Sequence, residues 1–316
     1  MNVREIPKAE VHVHLEGCFE TSDLVRLAAI AGEPLPRPAD RLFAFEGFDG
    51  FLEFLSWSCG LVRSRDEVAA AAYRYAVRAR ASGVVRADVI VNPSHWGAWR
   101  HDLGGLIGAL DAGWREAEDD GFPSVGLCVS ISRWQSSAEA AELVEHLASL
   151  RHPRVVALSI DGNEARSGRT GSRFAGAFAD AKRSGLMITA HAGESSGPEG
   201  VRDALELLGA DRIDHGIRAA EDPVLVAELA DRGIPLGVCP SSNVTLGVVP
   251  SMDEHPIEAL RLAGVRVSVN SDDPAFLGID LLGEYERCIR TFGWDDATIA
   301  AVCATSLDAC FVGAVR

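Results

Sequence analysis

Ser184-Gly185-Leu186-Met187-Ile188-Thr189-Ala190-His191-Ala192-Gly193-Glu194 reads as one complete structural unit. Gly185 can take the left-handed conformation that ends a helix. Leu186 to Ala190 is a short run with few charges, the pattern of a strand buried on both faces. His191 and Glu194 then place polar chemistry where the strand ends. The stretch is that of an αβ loop feeding a parallel strand whose C-terminal end carries function.

Seven more runs repeat it along the chain: Glu10 to Leu15, Val84 to Val91, Ser124 to Ser130, Val155 to Ile160, Arg212 to Asp214, Ile234 to Val238 and Val265 to Val269. Ser82-Gly83, Arg232-Gly233 and Ala263-Gly264 repeat the helix stop. Helical periodicity fills the intervals, as in Glu67 to Ala81, Ala138 to Leu150 and Pro223 to Asp231. Strands alternating with helices imply crossover connections and a parallel sheet. Eight of them, with no Gly-rich phosphate turn, favour an α/β (β/α)8 TIM barrel over a doubly wound sheet. The segment Ala31 to Phe54 breaks the rhythm. Rich in Pro and Phe (Pro34, Pro36, Pro38, Phe43, Phe45, Phe48, Phe51, Phe54), it reads as a helical insertion after the first strand. It either covers the barrel mouth or packs its rings on the barrel side.

Thirty Lys and Arg against 46 Asp and Glu give a net charge of −16, which repels phosphate backbones and anionic lipid headgroups. No nucleic acid and no membrane are expected as partners. No run approaches the roughly 18 apolar residues of a membrane span, and Met1 to Pro7 has no apolar signal core, so a cytoplasmic location is expected. Seven cysteines lie scattered without CxxC spacing, arguing against a disulfide framework or a thiolate metal site. Oligomeric state is not legible.

The strand exits carry the chemistry. The first run ends Val11-His12-Val13-His14-Leu15-Glu16-Gly17, and the two-residue period of a strand sends His12 and His14 to one face. Two inward imidazoles are costly to bury unless something occupies their lone pairs, and a divalent metal does that. The stretch quoted first exits on His191 and Glu194, the sixth on Asp214-His215-Gly216, the eighth on Asn270-Ser271-Asp272-Asp273-Pro274. Satisfied core histidines have no reason to recur at three exits with a carboxylate pair at a fourth. His12, His14, His191 and Asp272 are therefore the expected metal ligands. Three neutral imidazoles and one carboxylate suit one Zn2+ per chain, although iron, cobalt and manganese accept similar donors. Adjacent Asp272 and Asp273 cannot both point at one ion, so the second either orients substrate or caps the turn into Pro274.

Pro7 to Gly17, His191-Ala192-Gly193-Glu194, Asp214-His215-Gly216, Cys239-Pro240-Ser241-Ser242-Asn243 and Asn270 to Pro274 together resemble the adenosine and adenine deaminases of the amidohydrolase superfamily. The likeness runs in order from residue 7 to about 286. It implies a metal-dependent hydrolase, residues 1–316 forming one barrel domain, that acts on C–N bonds of cyclic amidines. It also implies the roles. Glu194 protonates N1 of a 6-aminopurine, His215 takes the proton of the attacking water, Asp273 binds N7, and the Gly162 backbone meets N3, with His14 also touching substrate. Glu194 as a helix cap and His215 as a structural histidine stand beside these roles. The other zinc deaminase pattern, HxE with PCxxC, is half mimicked by His14-Leu15-Glu16, but no second Cys follows Cys239-Pro240.

The resemblance leads to adenosine, 2′-deoxyadenosine or a related nucleoside as substrate, giving the 6-oxopurine and ammonia, with the free base adenine, a modified aminopurine or another aminated heterocycle as the alternative. The sequence signals conflict. Asp161-Gly162-Asn163-Glu164 looks nucleoside-type, whereas Asp214-His215-Gly216 and the strand-two exit Val85 to Pro93, which has Ile90 where nucleoside enzymes tend to carry Arg, look adenine-type. Ser94 to His101, with Trp96 and Trp99, follows that exit and either stacks on a base or packs on the surface.

Overall fold

The computed structural model describes residues 2–313; Met1, residues 314–316 and the side chain of Phe48 lie outside the described residues. Eight strands appear among them: β1 (Lys8–His14), β2 (Val84–Val91), β3 (Ser124–Ser132), β4 (Val155–Asp161), β5 (Met187–Ala192), β6 (Arg212–His215), β7 (Leu236–Val238) and β8 (Val267–Val269). They neighbour one another in sequence order, and each pair is parallel. Closure comes at the exits, where the His14 N–H donates to the Asp272 carbonyl at 2.8 Å and the Asp272 N–H to His12 at 3.2 Å. The sheet is thus the expected (β/α)8 barrel.

Its strands form because nearly all their residues are buried, on the inner face by the barrel interior and on the outer by the helices. The helices begin where the side chains can cap them. Ser64 with Glu67 and Ser136 with Glu139 form capping boxes for Arg65–Ala81 and Ser137–Leu150, and Asp222 caps Pro223–Arg232. The β7 and β8 runs start two residues later than the sequence suggests. Ile234 and Val265 send their N–H groups back to the carbonyls of Leu229 and Leu260, finishing the preceding helices rather than joining the sheet.

The insertion makes a short turn at Ala39–Arg41 and then the helix Gly47–Gly60. Phe43, Phe51 and Phe54 pack against Phe276, which follows β8, with the Phe54 and Phe276 centroids 5.0 Å apart, and Phe45 packs on Phe51 and Phe54. Phe51, Leu52 and Leu55 of the same helix line the cavity at the barrel mouth. The segment is a cover, held by its own aromatics. No helix among the described residues is long and apolar enough to cross a membrane.

Candidate metal centre and active site

His12 and His14 project inward from the end of β1, His191 from β5, and Asp272 follows β8; their ligand atoms all lie within 4.8 Å of one another. The Nε2 atoms of His12 and His14 each stand 3.0 Å from that of His191. His12 donates from Nδ1 to the Gly237 carbonyl at 2.8 Å, which leaves its Nε2 lone pair bare and aimed at the cluster. Lone pairs converging at this range repel unless a proton or a cation lies between them, so the donor set fits a divalent ion. Asp272 is steered by Ser242, whose hydroxyl donates to Oδ2 at 2.6 Å. Behind His191 lies Asp214, 3.7 Å from Nδ1 and itself tied to Thr189 and Arg212.

The charges agree with that fit. Burial lowers His12, but the carboxylates of Asp214 and Asp272 more than offset it and lift the imidazole to about 9. Burial pushes His14 down to about 4 and His191 well below the ordinary value, the neighbouring imidazoles adding to the effect. Asp272 would be raised by burial, yet the surrounding histidines hold it well below the usual carboxylate range.

His14, His191 and Asp272 line one cavity together with Glu16, His95, Gly162, Glu194, His215 and Asp273, so every expected site residue except fully buried His12 meets at its wall. Burial, with Asp272 and Glu164 nearby, raises Glu194 to about 8; burial and Asp272 hold Asp273 well above its ordinary value. Glu194 therefore favours the protonated form at neutral pH, and Asp273 is shifted in the same direction. His215 sits with Nε2 3.5 Å from Glu194 Oε1 and 4.0 Å from Asp272 Oδ2. Among the described residues, two of the three non-glycine residues at positive φ are His215 (65°) and Asp272 (62°), a left-handed turn at the strand exit that re-aims both side chains. Gly17 has no room for a side chain, since a Cβ there would fall 2.1 Å from Asp273 Oδ1.

Several working residues escaped sequence reasoning. Glu164 accepts from the backbone N–H groups of Gly193, Glu194, Ser195 and Ser196 and from the Ser196 hydroxyl, and so holds the loop that carries Glu194. It was visible only as a letter after Gly162-Asn163. Glu16 accepts at Oε1 from the Asn92 N–H (2.7 Å) and the Trp96 indole (2.8 Å), while Oε2 is buried without a partner. Burial pushes its carboxyl up to about 8. Trp96 is thus a wall that holds Glu16, and His95, bonded to Ser56, faces the cavity. Trp99 instead packs inside, its indole donating to Val62.

A parallel barrel whose strand exits bring three histidines and an aspartate together, their ligand atoms within 4.8 Å of one another, defines a metal-dependent hydrolase of the amidohydrolase kind. A family model described as adenosine deaminase matches residues 7–316. The chain belongs to that family, whose members hydrolyse C–N bonds of cyclic amidines, and it is a hydrolase of that class. It is 35% identical over 309 residues to an adenine deaminase of Sinorhizobium medicae, covering 97% of this chain and 94% of the relative. Among solved structures, an adenine deaminase from Arthrobacter aurescens superposes with a TM-score of 0.91 at 29% identity, covering 97% of this chain and 94% of that one. An amidohydrolase from Burkholderia ambifaria, with bound Zn, gives a TM-score of 0.90 at 29% identity over 98% of this chain and 86% of that one.

Proposed function

We propose that the protein deaminates a 6-aminopurine free base, with adenine as the simplest substrate, and that zinc occupies the site of His12, His14, His191 and Asp272. The observation that carries the choice of base is the buried, unpartnered Oε2 of Glu16. When C6 of a purine faces the metal site, the N3–C4–N9 edge points farthest from it, toward Gly162 and Glu16. A free base can pair with that oxygen at N9, its bare ring nitrogen accepting from the protonated carboxyl or its N9–H donating to the carboxylate. A nucleoside's N9 has neither a hydrogen nor a free lone pair, so its binding would leave that buried carboxyl oxygen unpaired and press a sugar against it. The names of the relatives support the base over the nucleoside that the sequence reading put first.

A bound divalent ion supplies Lewis acidity, lowering the pKa of a coordinated water toward neutrality. The chain's own residues do the rest. Glu194, protonated at neutral pH, donates to N1 and makes C6 electron-poor. Asp273 has an unpartnered Oδ1, and burial beside Asp272 raises its carboxyl, the direction that favours donation to an acceptor such as N7. The Gly162 N–H meets N3, His215 stands beside the attacking water, and the helix Gly47–Gly60 closes over the base with Phe51 and Leu55.

The test is ammonia release from adenine, adenosine, 2′-deoxyadenosine and N6-modified adenines, alongside elemental analysis of the purified protein. Adenine is expected to exceed adenosine in kcat/KM by about 10²-fold or more, the scale on which an unpaired polar site rejects an analogue. Equal turnover of the two would overturn the free-base reading, and no ammonia from any of them with metal bound would overturn deamination.

A further inference from the structure

A three-link relay lies behind His215, away from the cavity. The Ile257 backbone N–H points at Nδ1 of His255 at 3.2 Å. His255 Nε2 stands 3.2 Å from Asn243 Oδ1, and Asn243 Nδ2 stands 3.2 Å from Nδ1 of His215. All three side chains are buried, at 3% exposure or less.

The direction of every hydrogen bond follows from the first. A backbone N–H can only donate, so His255 Nδ1 accepts and the proton of the neutral ring sits on Nε2. That N–H needs an acceptor, which fixes the Asn243 carbonyl toward His255 and its amide NH2 toward His215. His215 Nδ1 therefore accepts as well, and the single proton of its neutral ring lies on Nε2, the atom that faces Glu194 and the nucleophile side of the cavity. We infer that Asn243 and His255 are positioning residues that hold His215 as the Nε2–H tautomer, so that it meets the attacking water as a hydrogen-bond donor.

The role that family resemblance gives His215, acceptance of the water's proton at Nε2, requires the opposite tautomer. All three links would have to reverse for that, and the Ile257 N–H cannot. The donor role instead turns Nε2–H toward a lone pair of the nucleophile's oxygen; the nucleophile enters as hydroxide, its proton released to solvent before the base binds, and Glu194 delivers the separate proton that N1 takes.

Two measurements test this, and only the second rests on the deaminase reading. In the zinc-loaded protein labelled with 15N-histidine, the signals lost in His215→Asn identify His215. A bare Nδ1 and a protonated Nε2 are expected near neutral pH, and a protonated Nδ1 overturns the inference whatever the substrate proves to be. Asn243→Asp then puts an acceptor at both ends of the relay. It draws the His215 proton to Nδ1 and bares Nε2, so kcat for adenine should fall by about 10²-fold or more with KM changed far less, the scale of a wrong-tautomer imidazole. Should Asn243→Asp show the reversed tautomer and keep its kcat, the donor role is wrong. Because the first measurement does not involve Asn243→Asp, it decides the tautomer even if that variant does not fold.

Discussion

Glu194 shows what one residue's surroundings do to its chemistry. Its carboxyl is lifted to about 8 by burial and by the carboxylates of Asp272 and Glu164, so the acid form that can donate to N1 persists through neutral pH. Since the protonated form is the competent one, turnover should fall as pH rises through about 8, and a kcat profile in buffers spanning that value checks it. Glu194→Gln keeps the shape but has no transferable proton. It should retain metal by elemental analysis and lose kcat by about 10²- to 10⁴-fold, the usual contribution of a positioned acid; near-native turnover would show that Glu194 is not the acid. At this scale the sequence was legible wherever a strand exit repeated a chemical type. His12, His14, His191, Glu194, His215 and the Asp272-Asp273 pair all stood out that way. Glu16 and Glu164 were not legible, because each works through backbone N–H groups that only the folded chain brings to it.

Elements place these residues within fractions of an ångström. The turn Leu15–Cys18 passes so close to Asp273, four residues beyond β8, that a Cβ on Gly17 would lie 2.5 Å from the Asp273 Cα, a backbone atom that cannot swing aside. Gly17→Ala should thus push Asp273 out of line and lower kcat/KM by about 10²-fold, as a displacement near 1 Å does elsewhere, with metal content unchanged. The β5 exit loop is held differently, by one carboxylate taking four backbone N–H groups. Glu164→Gln turns one acceptor of that nest into a donor facing donors. The expected outcome is faster amide hydrogen exchange across Gly193–Ser196 and a kcat loss of about tenfold or more, with the rest of the exchange map unaltered. Element types were readable from periodicity, and β2 was read with its observed ends. What periodicity missed were the αβ junctions before β7 and β8, where backbone N–H groups finish a helix. It also left open whether the aromatics of the insertion packed outward or formed a cover, since that depends on Phe276, more than 200 residues away in sequence.

At the scale of the whole molecule, the proposed metal ligands come from strands on opposite sides of one barrel. His12 and His14 end β1, His191 lies in β5 and Asp272 follows β8, so an ion there links the two halves of the sheet across its interior. The backbone alone joins those halves more thinly. β4 meets β5 through two residue pairs, Ala157 with Met187 and Leu158 with Ile188, and the closing contact of β1 with the last strand is the Val13–Asp272 bridge. Without a cation the cluster must also keep buried, mutually repelling imidazoles together, which the depressed values of His14 and His191 express. Metal binding should therefore stabilise the fold as well as enable catalysis. At a free zinc concentration about a hundred times Kd, linkage contributes about 2.7 kcal/mol. For a chain of this size that corresponds to a rise in Tm of roughly 5 °C. Calorimetry of the chelator-treated protein, with and without added zinc, should show that shift appear and activity return together. Asp272→Ala should show neither response. A Tm that ignores zinc in the unaltered chain would mean the ion is held by a site that the unfolded chain already offers, or is not held by these four residues at all.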